Sequence, residues 1–245
     1  MIKFNFLKLI VDIGNSRIKL ALFKNKKLIC HDIISDLSEA NLSKFCGKNK
    51  ITSSIFSSVR SLKEKDKKII ELYSGILINQ NTPLPITSNY KHPIGTDRIS
   101  AVVGASFLYP NRNIWVFDAG TCLTADYIDK NKNYDGGRIT LGLDMRYKAL
   151  NDYTSELPKL SLNDNSPFKG KTTETSIISG VQKGIIAEVQ MLISDFRKYN
   201  DDFIVLFTGG DTAFFEKELK SSIFADQFLV LKGLNEILDY NADFK

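Results

Sequence analysis

Two short stretches of this 245-residue chain share a plan that could hold a phosphate and its counter-cation. Leu9–Phe23 reads LIVDIGNSRIKLALF and Trp115–Asp129 reads WVFDAGTCLTADYID: an apolar run, an Asp, one variable residue, a Gly, small hydroxyl or amide residues, then a second apolar run. The Gly permits a tight turn in which backbone N–H groups approach an anion, and the Ser16 and Thr121 hydroxyls can donate to its oxygens. An Asp at a strand end can hold a cation, directly or through water, that offsets phosphate charge. One Asp-x-Gly-x-Ser/Thr alone says little, because an Asp beside a Gly is also an ordinary turn residue bonded to its own backbone. Here Asp12 and Asp118 lie 118 − 12 = 106 residues apart, about one domain length, and each sits between strand-like runs, so the pattern reads as a duplication.

Rival chemistries fail on spacing. Gly170-Lys171-Thr172 has the ending of a nucleotide-binding P-loop, but Asn165 stands where the first Gly is required and no strand precedes it. No Gly-x-Gly-x-x-Gly follows a strand. Cys30, Cys46 and Cys122 form neither a Cys-x-x-Cys pair nor an even set, and only His31 and His92 could join them, which argues against structural zinc. The net charge is a modest +5, and the basic runs Lys24–Lys27 and Lys63–Lys68 lie beside turns or among acids, as solvated surface does. A nucleic-acid face would need denser basic residues with interleaved aromatics. No stretch approaches the roughly 18 consecutive apolar residues of a membrane span, and the opening MIKFNFLKLIVDIGNS lacks a signal-peptide cleavage pattern, so a cytoplasmic protein without a membrane partner is expected.

The elements that must carry the two Asp-Gly turns follow from periodicity. With 43% hydrophobic and 25% charged residues the chain can bury real cores, and its length suits two modest domains. Strands are predicted at 7–13, 18–23, 27–33, 51–59 and 76–78, with helices at 38–45 and 62–72. The proline-containing segment 81–93 reads as a loop leading into a helix at 97–109. After Pro110 the pattern restarts, with strands at 114–119, 123–129 and 134–141, the last kinked at Gly136–Gly137. A long helix at 173–199 carries Ile177, Val181, Ile185, Val189 and Leu192 as an apolar stripe. A strand at 203–208 ends in Thr208-Gly209-Gly210-Asp211, and short helices at 213–219 and 234–240 complete the chain. The expected class is α/β, divided into 1–111 and 112–245.

Paired acidic hairpins one domain apart resemble the duplicated ribonuclease-H-like fold of the sugar kinase, heat-shock and actin superfamily, in which two hairpins grip ATP phosphates from both sides. The resemblance implies two ribonuclease-H-like domains in tandem with the active site in the interdomain cleft. Thr208–Asp211 sits where that superfamily places its adenosine-contacting glycine turn. More closely, an ordered set of motifs over almost the whole chain resembles the type III pantothenate kinases. It comprises Asp12-Ile13-Gly14-Asn15-Ser16-Arg17-Ile18-Lys19, Gly95-Thr96-Asp97-Arg98, Asp118-Ala119-Gly120-Thr121, Gly136-Gly137-Arg138-Ile139, Ala149-Leu150 with Leu157-Pro158, and Thr173 through Ile177 to Gly180. The chain departs from the family pattern in a shorter Tyr90–Gly95 spacer, Leu141 in place of a proline, and Cys122 in place of an alanine.

This resemblance implies ATP-dependent phosphorylation of pantothenate to 4′-phosphopantothenate, the first step of coenzyme A biosynthesis. Asp12, Ile13, Gly14, Asn15, Ser16, Arg17, Ile18 and Lys19 would hold ATP, with Asp12 near Mg2+ and Thr121 as a further ATP contact. Asp118 would bind a monovalent cation, K+ or NH4+. Tyr90, Gly95, Thr96, Asp97, Arg98 and Thr173 would form the pantothenate pocket, with Asp97 the catalytic base. A carboxylate that orients the hydroxyl and accepts its proton suffices for this chemistry, because phosphoryl transfer rests mostly on positioning and charge neutralisation. The planar donor fork of Arg98 suits an anionic or carbonyl-bearing acceptor. Family resemblance also implies a homodimer whose second subunit helps wall the pantothenate pocket. The alternatives are another small-molecule kinase of the superfamily, against which Gly95–Arg98 weighs, and a nonenzymatic regulator, against which the intact Asp12, Asp97, Asp118 and Thr121 weigh.

Overall fold

A computed structural model describes residues 6–91, 93–199, 202–219 and 223–242. His92, considered above as a metal ligand, lies outside these. The chain divides into two compact units. Unit 1 comprises Met1–Pro110, Lys132–Tyr134 and Phe228–Lys245, and unit 2 comprises Asn111–Asn131 and Asp135–Gln227.

In chain order, unit 1 carries β1 (Phe6–Ile13), β2 (Ile18–Lys24), β3 (Lys27–Ile34), α1 (Glu39–Cys46), β4 (Lys50–Ser58), α2 (Glu64–Leu72), β5 (Ile76–Leu77), β6 (Thr87–Ser88) and α3 (Thr96–Leu108). Unit 2 carries β7 (Ile114–Ala119), β8 (Cys122–Ile128), most of β9 (Asn133–Leu141), α4 (Leu143–Asp152), α5 (Thr173–Tyr199), β10 (Ile204–Thr208), α6 (Thr212–Leu219) and β11 (Phe224–Ala225). The chain then returns to unit 1 as α7 (Leu229–Ala242).

The unit 1 sheet has the order β3-β2-β1-β4-β5. β1, β2 and β3 form an antiparallel meander, and β4 adds parallel to β1. β1 is central, which matches its near-continuous apolar run, with Leu9, Ile10, Val11 and Ile13 fully buried. β3 is the mostly exposed edge, and it leaves Ile29 and Ile33 at the surface. Local chemistry sets the helix starts: Ser38 caps α1 by accepting from Asn41 N–H, and Asp66 Oδ2 accepts from Lys63 N–H at the head of α2. That cap explains why α2 begins at Glu64, two residues later than expected.

A division at 111/112 assigned the last helix to the second half, whereas α7 belongs to unit 1. Its Leu229, Val230, Leu234, Ile237 and Leu238 are buried, and it packs on α3 through two glycines. A Cβ on Gly233 would lie 1.8 Å from Ser100 O, and one on Gly104 would lie 2.5 Å from Leu229 O. The two helix backbones meet where any side chain would force them apart.

Unit 2 has the strand order β11-β10-β7-β8-β9. β7 and β8 form an antiparallel hairpin, and β10 lies parallel to β7. The first residues of β9, Asn133 and Tyr134, pair with β6 inside unit 1. Helix α5 places its stripe of Ile177, Val181, Ile185 and Val189 against Phe117, Leu123 and Phe207 of the sheet. Each buried branched side chain of this kind contributes about 1.5–3 kcal/mol. The segment Thr173–Lys198 is long and apolar enough to cross a membrane by length and composition, and half of its apolar window is buried inside the protein. Helix α4 escaped the sequence pattern because it buries only Leu143 and Tyr147 and starts after Gly142 with no side-chain cap. β6 and β11 are two residues each, too short to show any period.

Candidate active site

In unit 1, β1 ends at Asp12-Ile13 and the turn Gly14-Asn15-Ser16-Arg17 feeds β2, closed by Gly14 N–H donating to Arg17 O at 3.0 Å. The register sets Asp12 opposite Lys19 on β2 and opposite Ser57 on β4. Directly paired residues share a face, so the carboxylate, ammonium and hydroxyl stand together. Ile13 and Ile18 are buried beneath the turn, while Asn15, Ser16 and Arg17 are exposed to receive a ligand. Asp12 is only 7% exposed. Burial pushes its pKa up; the Lys19 charge pulls it down, the Asp97 carboxylate raises it, and the Ser57 hydroxyl favours the ionised form. Asp12 Oδ1 is buried without a hydrogen-bond partner. An orphaned carboxylate oxygen beside an exposed anion-accepting turn fits Mg2+, a hard cation that takes one or two carboxylates alongside phosphate oxygens.

The residues expected to line the pantothenate pocket in unit 1 lie on α3 and in the loop between β6 and α3. Gly95 caps the helix, and Ile99 N–H donates to Gly95 O. Asp97 sits in the first turn, where the helix dipole favours a carboxylate, and its Oδ1 accepts from Arg98 N–H at 2.8 Å. Thr96 turns its hydroxyl inward: Thr96 Oγ1 is 2.8 Å from Ser57 Oγ and 3.3 Å from Ser58 O. Arg98 is buried, and its guanidinium carbon lies 5.6 Å from the Tyr90 ring centroid. The Tyr90 ring in turn stands 6.0 Å from that of Tyr134. Unit 1 therefore brings together Asp12, Lys19 and Thr96–Arg98, and sets Tyr90 beside Arg98 despite the short spacer.

In unit 2 the matching hairpin is tighter. β7 ends at Asp118-Ala119, and Gly120-Thr121-Cys122 turns the chain into β8, with Gly120 N–H donating to Cys122 O at 3.0 Å. Asp118 faces Thr124 across β8 and Thr208 across β10. Thr124 Oγ1 is buried without a partner. A half-exposed carboxylate and an unpartnered hydroxyl oxygen on one face are hard oxygen donors that fit a monovalent cation. β10 runs into Gly209, whose φ of +98 favours glycine, and a Cβ there would lie 2.3 Å from Ala119 O and 2.5 Å from Asp118 Oδ1. The Gly209-Gly210 turn thus lies against the hairpin, fixed by Asp211 N–H donating to Ala119 O at 3.0 Å. Asp211 has its pKa pushed up to about 6 by burial and by the neighbouring Asp144. Gly142 N–H, at the head of α4, donates to Thr121 O.

Thr173, expected beside Tyr90 and Arg98, opens α5 in unit 2 and lines a cavity of about 1190 Å3 with Arg146, Leu150, Tyr153, Lys171 and Ile177. The Gly170-Lys171-Thr172 stretch is a helix cap: Lys171 N–H and Thr172 N–H both donate to Thr175 Oγ1. Sequence reasoning passed over Ser57, Thr124 and Asp144, and named Asp211 only as part of the glycine turn 208–211. Ser57 and Thr124 matter through strand register, which local sequence does not encode.

Phosphate-type hairpins, each ending a central strand, define a class on this fold. An activator of 2-hydroxyisocaproyl-CoA dehydratase from Clostridium difficile, solved with bound ADPNP, is 16% identical with a TM-score of 0.56, over 98% of this chain and 95% of that one. A Baf family protein from Campylobacter jejuni is 23% identical with a TM-score of 0.61, over 96% and 99%. A ROK family protein from Streptococcus pneumoniae and a ROK family glucokinase from Streptomyces griseus share the fold as well. The protein thus has an α/β fold with mixed sheets that these solved structures share. Sequence narrows the assignment: a family model described as type III pantothenate kinase matches residues 8–195. A type III pantothenate kinase from Phocaeicola vulgatus is 42% identical over 239 residues, 96% of this chain and 99% of that protein. The chain belongs to the type III pantothenate kinase family, and is a phosphotransferase with an alcohol acceptor.

Proposed function

We propose that this protein transfers the γ-phosphoryl group of ATP to the primary hydroxyl of pantothenate, giving 4′-phosphopantothenate and ADP, with Asp97 as the proton acceptor. The observation that carries this reading is that the Oγ of Ser57, directly opposite Asp12 in the β1–β4 register, lies 2.8 Å from the Oγ1 of Thr96, the residue preceding Asp97, so both carboxylates belong to one end of unit 1. One carboxylate on the phosphate side and one on the acceptor side is the minimum such a transfer needs.

The exposed turn Asn15–Arg17 and Lys19 receive the ATP phosphates, and Thr121 on the unit 2 hairpin is a further ATP contact. Asp12 holds Mg2+, which when bound neutralises phosphate charge. Asp118 with the Thr124 hydroxyl holds K+ or NH4+, and the Gly209-Gly210 turn serves the adenosine side. Arg98, backed by Tyr90, grips the carboxylate or carbonyl of pantothenate, and orients its hydroxyl toward Asp97. As the hydroxyl oxygen bonds to phosphorus, its proton passes to Asp97 and the bond to ADP breaks. Both units are ribonuclease-H-like, and the protein works in the cytoplasm as a homodimer. The dimer reading is supported by Tyr153 and Phe168, large side chains left 88% and 94% exposed around the unit 2 region that holds Thr173.

A coupled assay of ADP release with pantothenate, with and without K+, tests the reading on wild type and Asp97→Asn. Potassium-dependent turnover is expected in the wild type, with a loss of about 10^2–10^4-fold in the variant. ATP hydrolysis that ignores pantothenate, or equal rates for both proteins, would overturn it.

A further inference from the structure

Ser57 has no chemical role in the scheme above, yet it stands at its structural centre. It is fully buried, at 0% exposure, on the strand that pairs with β1, directly opposite Asp12. Its Oγ lies 2.8 Å from Thr96 Oγ1, and the parallel β1–β4 register sets its side chain on the same face as that of Asp12. Thr96 belongs to the first turn of α3 and is further tied down by Ser100 Oγ, which donates to Thr96 O at 2.6 Å. A hydroxyl has one proton to give but can accept as well. When Ser57 donates to Asp12, Thr96 can donate to Ser57; when Ser57 donates to Thr96, Thr96 can donate to Ser58 O. The first arrangement joins Asp12 on β1 through Ser57 on β4 to the residue preceding Asp97, whereas in the second the chain runs only from Ser57 through Thr96 to Ser58 O.

We infer that Ser57 is a positioning residue for phosphoryl transfer, whose hydroxyl links Asp12 to Thr96 and so holds the phosphate-side carboxylate and Asp97 at one fixed separation. The inference rests on the roles given to Asp12 and Asp97 above and adds to them a cause for their geometry. The other groups around Asp12, Lys19 on β2 and Asp97 on α3, act on it by charge, which constrains distance only loosely. The hydrogen-bonded serine supplies direction. A misplacement of about 1 Å at a reacting centre can cost about 10^2-fold in rate, so losing this link should appear in kcat and spare ground-state affinity.

The test compares wild type, Ser57→Ala, Ser57→Thr, Thr96→Val and the Ser57→Ala/Thr96→Val double variant. Ser57→Ala should lower kcat by about 10- to 100-fold with KM for ATP and pantothenate within about twofold. Ser57→Thr, which keeps the hydroxyl, should recover most of that loss. The double variant should be no slower than the slower single variant, because both changes cut one chain. Urea unfolding of the same set gives a readout independent of turnover, in which the stability losses of the two single changes should not add. An unchanged kcat in Ser57→Ala, a loss confined to KM, or additive losses in both rate and stability would overturn the inference. Wild-type protein that ignores pantothenate would instead overturn the functional reading, and the urea cycle would still decide whether Ser57 and Thr96 act as one unit.

Discussion

The two Asp-Gly hairpins are built alike and equipped differently. In unit 1 the carboxylate faces a lysine, Asp12 opposite Lys19, and is buried; in unit 2 it faces a threonine, Asp118 opposite Thr124, and is half-exposed. The first hairpin turns through Gly14-Asn15-Ser16-Arg17 and the second through the shorter Gly120-Thr121-Cys122. A lysine stands across the strand from the first carboxylate, whereas a neutral threonine stands across from the second, and on the reading proposed above that second site takes its cation from solution. On the proposed function, one duplicated plan serves a divalent ion with phosphate in the first hairpin and a monovalent ion in the second. Helix α3, which carries Asp97, belongs to unit 1 with the first hairpin.

This contrast can be broken at each hairpin, and the two aspartates should fail differently. Asp12→Asn should reduce kcat/KM by about 10^2–10^3-fold at any K+ concentration, the scale of removing one charge stabiliser from a transition state. Asp118→Asn should cost roughly 10^2-fold at saturating KCl and leave a residual rate indifferent to K+. Rates measured across a KCl titration separate the two, and K+ activation surviving in Asp118→Asn would remove the proposed cation site. The contrast can also be sharpened by grafting. Thr124→Lys gives unit 2 the cross-strand cation of unit 1, so activity without K+ should rise by about tenfold while activation by K+ shrinks. A K+ response unchanged from wild type would mean that the cross-strand residue does not set the cation demand.

The smallest effect concerns stability at the glycine turn beside the second hairpin. Asp211 has a folded-state pKa of about 6 against 3.8 for an unperturbed carboxyl, so the folded protein binds its proton more tightly than the unfolded chain. Stability from this group is fully present below pH 3.8 and is lost as pH rises through about 6. Asp211→Asn removes the charge and should raise stability at about pH 8 by roughly 1 kcal/mol, discounted for partial exposure, or about 2–4 °C in Tm. The gap should close below about pH 4. Melting curves across pH check it; a variant less stable at high pH would show that the carboxylate is needed there.

Both hairpins could be read from sequence because each combines two signals, an apolar run that demands a buried strand and an Asp-x-Gly that demands a turn. The α5 stripe was equally legible, since Ile177, Val181, Ile185 and Val189 recur every four residues. What stayed hidden depends on pairing between distant segments. Ser57 ends an apolar strand like many serines, and only the parallel register of β1 and β4 sets it against Asp12. Thr124 gains meaning the same way, from Asp118 across the hairpin. Placing α7 required knowing that Gly104 and Gly233 meet, a contact between helices more than a hundred residues apart. Thr173 was read into the same pocket as Tyr90 and Arg98 by family likeness, while its place at the head of α5 in unit 2 was legible from the apolar stripe that predicts a helix at 173–199.

The return of α7 to its partner α3 has a consequence for how the protein is made. All of unit 2 lies earlier in the sequence than Phe228, so on the ribosome it can mature while unit 1 still waits for its closing helix. Until then the face of α3 around Gly104 lacks the helix that covers it in the folded protein.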